Sequence, residues 1–341
     1  MNYEIRFCAL EEHELLVSFI KEYWNKNHIF VKSKQALDFQ HLDRKNKRYN
    51  FIVAYNTISK EFDAILGFIL LSQYNIHLKD ENIWLSIWKS KKNCPGLGLR
   101  LIRNLEQNLK PKHMGALGLS IYSRKFYKLF NYDKIAILDH FYIKNEKIKY
   151  FKIADFSKTQ RKKKRKRKKY FPSLYNIKSI TSLEFQKSNL KFYFTPKKDL
   201  CYFIERYHKN PFYSYKNYGI YKNGILIAAF FARIIEQNNA KCMSIVDWIG
   251  KFPKNLQNAF EVLLQTNQCE FVSFICYIKN PKPIYAMGFK LLNKDKNIIP
   301  VYFEPFVKEN VDIYFAFKSK SKSKNYTIFK GDSDQDRINK S

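Results

Sequence analysis

Hydrophobic and polar positions in the first half of the chain alternate between the two-residue period of strands and the longer period of helices. The stretch 11–25 places its apolar residues on one helical stripe and its acids in the first turn, where the amide dipoles leave partial positive charge. The other elements predicted here are strands at 3–10, 51–56, 62–71 and 82–88, a helix ending near 109, a strand at 117–122, a short helix at 124–130 and a strand pair at 134–143. A strand and a helix thus open this half, and three successive strands precede its second helix.

The second half repeats this order of elements. Its predicted elements are a helix at 200–208, strands at 215–221, 224–235 and 242–249, a helix at 255–265, a strand at 270–278, a short helix at 283–287, and strands near 301–306 and 312–317. We therefore predict two domains of similar size, at 1–155 and 171–325. A basic linker or surface loop at 156–170 separates them, and an acidic, polar tail follows at 326–341.

The chain is strongly basic, with 62 Lys and Arg against 30 Asp and Glu and a formal net charge of +32. Apolar residues make up 45%, which excludes a disordered chain. Nine consecutive basic residues run from Arg161 to Lys169, and we interpret this run as solvated. The charge attracts nucleic acid, coenzyme phosphates or an acidic membrane face without selecting among them.

Several classes of protein and site are excluded by the sequence. The longest apolar run, 64–71, is too short to span a bilayer, and the N-terminus lacks the features of a secretion signal, so we expect a cytoplasmic protein with no membrane span. The six cysteines form no Cys-x-x-Cys pair and the seven histidines do not cluster. The acids at 330–337 alternate as in a calcium loop but lack its glycine and its final glutamate. No metal is predicted.

The loop Asn93-x-x-Gly96-x-Gly98, between a predicted strand and a predicted helix, is the segment most indicative of chemistry. Glycines let the backbone approach an anion, and the N–H groups that open the helix point at that anion. Arg100, in the first turn, would add charge-assisted bonds to phosphate. The pattern is neither a Rossmann fingerprint nor a P-loop, and an ordinary glycine-rich turn is the alternative.

The order of elements around this loop resembles that of the GNAT family of N-acetyltransferases. In that family an Arg/Gln-x-x-Gly-x-Gly/Ala loop cradles the pyrophosphate of acetyl-CoA. Gly96 and Gly98 match this loop, whereas Asn93 replaces the Arg or Gln. The resemblance therefore implies acetyl-CoA as the acyl donor, held by the loop and Arg100.

A second family signature is a short helix that ends in Tyr-x-x-x-Gly-Phe. Tyr127 opens the matching segment, which has Asn131 for the glycine and Tyr132 for the phenylalanine. Asn is tolerated in the left-handed turn that such a glycine serves. The resemblance implies that Tyr127 protonates the leaving thiolate, and a packing tyrosine is the alternative.

The second half carries Met287-Gly288-Phe289 at the equivalent point, but Ile284 occupies the tyrosine position and the loop at 250–255 has no Gly-x-Gly. The coenzyme loop there is thus degenerate. The resemblance implies an α/β (α+β) fold of two tandem GNAT-like domains, each with a mixed central sheet flanked by helices. Tandem copies also resemble the peptidoglycan-branching aminoacyltransferases, whose donor is aminoacyl-tRNA.

Two further features bear on the acceptor and the base. Asp247 is an acid inside an apolar strand, where it either bonds locally or works as a base or substrate anchor. The segment 330–337 resembles the tails of tandem acetyltransferase-like proteins associated with bacterial surface-polysaccharide clusters. That resemblance implies an amino-sugar or nucleotide-sugar acceptor.

The function predicted from these features is transfer of an acyl group from acetyl-CoA to an amine of a sugar intermediate for a surface glycan. The amine would attack the thioester directly in a ternary complex, and Tyr127 and Asp247 are the candidate catalytic residues. An aminoacyl-tRNA-dependent transferase is the first alternative. A basic nucleic-acid-binding protein on the same scaffold is the second, although no RNA- or DNA-binding signature appears.

Overall fold

The computed structural model describes residues 3–75, 82–157, 174–321 and 326–336. The basic run Arg161–Lys169 lies outside the described residues. None of the helices in the described ranges is long and apolar enough to cross a membrane.

The structure divides the chain into two compact units. The first comprises Met1–Ala136, Ile313–Lys324 and Asp332–Ser341, and the second comprises Ile137–Asp312 and Asn325–Gly331. Each unit is therefore built from more than one stretch of sequence.

The strands, in chain order, are β1 Tyr3–Ala9, β2 Leu42–Asp43, β3 Arg48–Asn56, β4 Glu61–Leu70, β5 Asn82–Ser90, β6 His113–Leu117, β7 Lys134–Ile137, β8 Asp139–Lys144, β9 Asp155–Phe156, β10 Tyr175–Ser179, β11 Lys216–Lys222, β12 Ile225–Gln237, β13 Ala240–Gly250, β14 Cys269–Ile278, β15 Lys290–Leu291, β16 Asn297–Ile298, β17 Tyr314–Ser319 and β18 Thr327–Phe329. The α-helices are α1 His13–Phe19, α2 Ile29–Lys32, α3 Lys34–His41, α4 Leu97–Leu109, α5 Ile121–Leu129, α6 Ser182–Gln186, α7 Leu200–Phe203, α8 Gln257–Thr266 and α9 Lys282–Ala286. Short 3₁₀ or π-helical turns lie at Leu10–Glu12, Ile20–Trp24, Leu71–Tyr74 and Ile204–His208.

The first unit is organised around a sheet with the strand order β1-β3-β4-β5-β6-β17-β7. Strands β1, β3, β4 and β5 pair antiparallel in turn, whereas β5 and β6 pair parallel as far as Leu85 and Ala116. We call the place beyond Leu85 and Ala116, where this pairing ends, the first gap. Helix α4 packs on the sheet through Leu101, Ile102 and Leu105, which follow the helical stripe that the sequence predicts.

The second unit is organised around a sheet with the order β10-β11-β12-β13-β14-β8-β15. Strands β13 and β14 pair parallel as far as Ile245 and Phe274, and we call the place beyond these residues the second gap. Strand β18 pairs antiparallel with β14 from Cys276 to Ile278. Both units thus contain a mixed sheet flanked by helices, which confirms the predicted fold class.

The final strands are not distributed as the sequence predicts. The predicted strand pair at 134–143 consists of β7 in the first sheet and β8 in the second sheet, where β8 pairs antiparallel with β14. Likewise β17, expected in the second domain, pairs antiparallel with β6 in the first sheet. The two units therefore differ from the predicted segments 1–155 and 171–325 in their final strands. Alternation with a period of two identifies a strand but not its partner.

Other predicted elements differ more locally. The strand expected at 117–122 lies at His113–Leu117, and helix α5 begins at Ile121. The strand expected near 301–306 is an isolated bridge between Phe303 and Phe306. Of the predicted polar tail, residues 327–329 form β18, and Asp332, Ser333, Asp334 and Asp336 are buried.

Candidate functional site

The loop between β5 and α4 contains two glycines with different environments. Gly96 has a φ of +78°, is exposed, and has no atom within 4 Å of the position a Cβ would take. A Cβ on Gly98 would instead meet the Trp88 indole nitrogen at 2.8 Å. The Trp88 Nε1–H also donates to the Gly98 carbonyl over 3.1 Å. Gly98 therefore lets α4 approach β5, while Gly96 leaves an open approach to the loop backbone.

The start of this loop is held by a network on β4. The Lys91 ammonium contacts the carboxylates of Asp63 at 2.9 Å and Glu61 at 2.8 Å. Asn56 donates a further bond of 2.8 Å to Asp63. Burial opposes ionisation of Asp63, but the bonds from Lys91 and Asn56 outweigh it and lower the pKa of that carboxyl. The network thus fixes the backbone two residues before Asn93.

The open end of α4 favours an anion. Its first turn carries no acidic residue, and the side chains of Asn93 and Arg100 are exposed there. The first N–H groups of a helix lack intrahelical acceptors, and the helix dipole adds partial positive charge. The first turn therefore provides donors and charge suited to a phosphate group.

A β-bulge lies in β5 close to the first gap. Leu66 pairs with Trp88 and Phe68 pairs with Leu85, so that Ser86 and Ile87 together oppose the single residue Gly67. A Cβ on Gly67 would meet the Ser86 oxygen at 2.6 Å, so this position has no room for a larger residue. A bulge leaves a residue outside the ladder hydrogen bonding. The bulge therefore interrupts the regular pairing of β4 and β5 at Ser86 and Ile87.

Tyr127 lies on α5 and packs by its ring against Trp88 at 5.9 Å and Tyr132 at 4.8 Å, measured between ring centroids. Its side chain is only 3% exposed, yet its hydroxyl makes no hydrogen bond with any residue that the structure describes. Burial, followed by the negative charge of Asp334, raises the pKa of this phenol. Tyr127 therefore keeps its proton at neutral pH.

The turn after α5 confirms the role expected of Asn131. Asn131 has a φ of +53°, and the Tyr132 N–H donates to the Tyr127 carbonyl at 3.2 Å. The Asn131 N–H donates to the Lys128 carbonyl at 3.1 Å, which completes a Schellman motif. Asn thus takes the left-handed position that the related signature gives to glycine.

Two solved structures share this architecture. A GCN5-related N-acetyltransferase from Anabaena variabilis ATCC 29413 matches with a TM-score of 0.53 and 9% identity, over 92% of this chain and 72% of that one. A conserved protein of unknown function from Enterococcus faecalis V583 matches with a TM-score of 0.50 and 10% identity, over 94% of this chain and 72% of that one. The chain has the GNAT fold. No protein-family model matches the sequence, and no curated protein matches it.

Within this GNAT fold the candidate residues fall into different units. Asn93, Gly96, Gly98, Arg100 and Tyr127 belong to the first unit, whereas Asp247 belongs to the second. The site predicted at the loop and at α5 is therefore contained within one unit.

Asp247 is completely buried on β13, and its carboxylate has several partners. The Lys198 ammonium donates to both oxygens at 2.7 and 2.8 Å, and the Tyr207 hydroxyl donates at 2.9 Å. The Trp248 N–H donates a further bond of 2.9 Å to Oδ1. Of the two interpretations that the sequence left open, these contacts favour local bonding, because a carboxylate so engaged is compensated within the protein.

Several residues beside the site were not identified from the sequence. Trp88 joins the loop to Tyr127 through its indole N–H and its ring. Ser333 donates a hydrogen bond to the Leu85 carbonyl, and the Gln335 side chain lies beside Gly118, so both residues are at the first gap. The sequence predicted an acidic, polar tail at 326–341 and gave no sign that Ser333 and Gln335 lie beside β5 and β6. In the described part of the chain, no group of three or more His, Cys, Asp or Glu side chains is placed to hold a metal ion.

Proposed function

We propose that the first unit is an N-acyltransferase that takes its acyl group from acetyl-CoA. The observation that carries this proposal is the open, left-handed Gly96 at the start of α4, which leaves the loop backbone accessible to a pyrophosphate. The GNAT fold supports it, since the Anabaena neighbour is a GCN5-related N-acetyltransferase.

The first unit offers a residue or backbone group for each step of acyl transfer. The loop and Arg100 would hold the pyrophosphate through N–H groups and a guanidinium. Backbone groups at the β5 bulge would polarise the thioester carbonyl. Tyr127, which burial keeps protonated, would give its proton to the departing sulfur.

For the acceptor we propose an amino-sugar or a nucleotide-linked amino-sugar used in surface-glycan biosynthesis. The support is the resemblance of 330–337 to tails of tandem acetyltransferase-like proteins associated with such gene clusters. An aminoacyl-tRNA donor is the alternative, supported by the net charge of +32. The two possible donors, acetyl-CoA and aminoacyl-tRNA, are distinguished by which of them binds at the loop around Gly96.

The test is calorimetric titration with acetyl-CoA of the wild type, Gly96→Asp and Gly96→Asn at two salt concentrations. Asp and Asn have nearly the same shape, and both tolerate a left-handed backbone. The two variants therefore differ chiefly in a negative charge at the expected pyrophosphate position. Gly98 is a poor choice, because a side chain there would displace Trp88.

Micromolar binding to the wild type and Gly96→Asn, weakened at least about tenfold in Gly96→Asp, would support the coenzyme site. Tyr127→Phe should bind acetyl-CoA as the wild type does and lose about 100-fold or more in turnover. No binding, or binding equal in all proteins, would refute the acetyl-CoA assignment at this loop. Aminoacyl-tRNA would then be titrated in the same way.

A further inference from the structure

Helix α5 of the first unit turns large apolar side chains outward. Ile121, Tyr122 and Leu129 have relative exposures of 62%, 76% and 74%, and Phe126 is 39% exposed. A surface helix ordinarily buries its apolar stripe and leaves polar residues outside. Helix α4 follows that rule, since its exposed residues carry guanidinium or amide groups. Several exposed apolar side chains on one helix are instead typical of an interaction surface.

The outward residues form two adjacent lines along the helix. Ile121, Lys125 and Leu129 are spaced by four residues, and so are Tyr122 and Phe126. Residues four apart lie one above the other on the same face of a helix. This face extends for about 12 Å, at 1.5 Å of rise per residue. Lys125 is exposed in the middle of it. We call these five residues the outer face of α5.

The outer face of α5 belongs to a segment without acidic residues. No Asp or Glu occurs from 107 to 132, whereas Lys125 and Lys128 are both exposed on α5. Neither lysine forms an ion pair with a residue that the structure describes. Arg124, in contrast, stacks on the Tyr314 ring, with its guanidinium carbon 3.9 Å from the ring centroid. The apolar residues of the outer face therefore lie in basic surroundings, which favour an anionic partner.

The position of Lys125 favours a lipid bilayer over a protein as that partner. In the core of a protein interface, its ammonium would lose its water, and lysines are depleted there for that reason. At a bilayer, the neighbouring apolar side chains enter the acyl boundary while a lysine extends to the headgroup phosphates. A second copy of the chain is disfavoured, because a two-fold contact through this face would bring the lysines of both copies together.

We propose that the outer face of α5 is a docking surface for anionic lipid bilayers. Ile121, Tyr122 and Leu129 enter the boundary between headgroups and acyl chains. Lys125 and Lys128 pair with the lipid phosphates. The helix then lies in the plane of the membrane surface, and apolar insertion and charge attraction act together. This proposal holds whether or not the first unit transfers acyl groups.

The test is co-sedimentation of the full chain with vesicles of phosphatidylcholine, either alone or with about 30% phosphatidylserine. Leu129→Glu is compared with Ile58→Glu, because Ile58 is also 74% exposed in the first unit but lies in the turn between β3 and β4. The two variants lose a side chain of the same size and gain the same negative charge, so basic segments elsewhere in the chain affect both equally. Both positions are exposed, so neither change removes core packing.

We expect Ile58→Glu to bind the phosphatidylserine vesicles within about threefold of the wild type, and Leu129→Glu to bind them at least about tenfold more weakly. Lys125→Gln should weaken this binding about fivefold and have no effect with phosphatidylcholine alone. Raising the salt from about 0.1 M to about 0.5 M should weaken binding by the wild type. Leu129→Glu should stay weaker than Ile58→Glu at the higher salt, because apolar contacts are not screened.

Several results would overturn the proposal, and they can be told apart. Equal binding by Leu129→Glu and Ile58→Glu would assign the membrane affinity to the charge of the chain alone. Absence of vesicle binding by the wild type would leave an acidic protein as the partner of this face. A wild-type dimer in sedimentation velocity that Leu129→Glu dissociates would show that a second copy covers the face. Loss of acetyl-CoA binding in Leu129→Glu but not in Ile58→Glu, measured by calorimetry, would assign the face to the coenzyme site.

Discussion

The first and second gaps are the same feature of the fold with different contents. In the second unit, main-chain groups fill the gap: the Gly331 N–H donates to the Val246 carbonyl at 2.7 Å, and the Lys330 N–H donates to the Ile275 carbonyl at 3.0 Å. Strand β18 extends this pairing along β14. Main-chain bonds therefore connect the segment around Lys330 and Gly331 to both strands at the second gap. In the first unit, the Ser333 side chain donates to the Leu85 carbonyl at the gap.

Gly96 in the first unit and Gly250 in the second also differ in how closely their surroundings pack around them. Around Gly96 there is open space, whereas a Cβ on Gly250 would meet the Ile227 carbonyl oxygen at 2.5 Å and the Ala228 Cα at 2.7 Å. Gly250 is thus needed for the packing of β13 against β12. Where the first unit has Tyr127, the second has the fully buried Ile284, which carries no ionisable group. The same fold thus has an open loop in one unit and a tightly packed loop in the other.

The largest effect is expected when the buried ion pair of the second unit is broken. Lys198→Met should lower the free energy of unfolding by about 3–5 kcal/mol, because Asp247 would stay buried without its compensating charge. Denaturant unfolding followed by tryptophan fluorescence measures this. Lys209→Met is the control, since Lys209 and Glu205 form an exposed pair worth at most about 0.5 kcal/mol.

A double variant tests whether Asp247 stabilises the second unit or takes part in acyl transfer. Lys198→Met combined with Asp247→Leu should recover much of the lost stability, because no charge is then left buried. Acetyl-CoA binding by this double variant should equal that of the wild type. Weakened binding in the folded double variant would contradict a purely structural role for the pair.

An intermediate effect is expected from adding one methyl group to each loop glycine. Gly96→Ala should cost about 1–2 kcal/mol of unfolding free energy, because only its left-handed backbone is strained. Gly250→Ala should cost at least about 1 kcal/mol more, because its Cβ also collides with backbone of β12. Thermal and denaturant unfolding of the two variants, measured side by side, gives both values. Equal costs would show that the two loops do not differ in packing as described.

Acid should destabilise both units gradually, and the effect per pH unit should be alike in the two. Burial lowers the pKa of His41 in the first unit and of His140 in the second to about 3. Unfolding exposes these imidazoles, whose ordinary pKa is 6.5, so the unfolded chain binds more protons below that pH. The free energy of unfolding should therefore fall by about 1.4 kcal/mol per pH unit for each histidine as the pH drops from 6.5 toward 3.

His41→Gln and His140→Gln should each reduce this slope by one histidine's share, whatever they do to stability at neutral pH. Unfolding curves recorded at intervals from pH 7 to pH 4.5 give the slopes. A slope unchanged in His41→Gln but reduced in His140→Gln would show that the two units differ in acid sensitivity, against expectation.

The sequence by itself determined several elements and one turn of the first unit. The apolar stripe of α4 is buried as its period indicates, and Asn131 takes the left-handed turn that its residue type allows. The α4 stripe and the Asn131 turn depend only on residues a few positions apart in the chain, so the local sequence pattern is enough to predict them. The alternating pattern likewise located most strands to within a few residues.

Only the tertiary structure decided which strands pair and which charges meet. The pattern of β8 and β17 identifies strands, but long-range packing assigns them to the second and the first sheet respectively. The Lys198 ammonium meets Asp247 across 49 positions of sequence, and the Ser333 hydroxyl meets the Leu85 carbonyl across 248. A charged or polar residue needs a partner when it is buried because of its chemistry, but only the tertiary structure determines which residue that partner is.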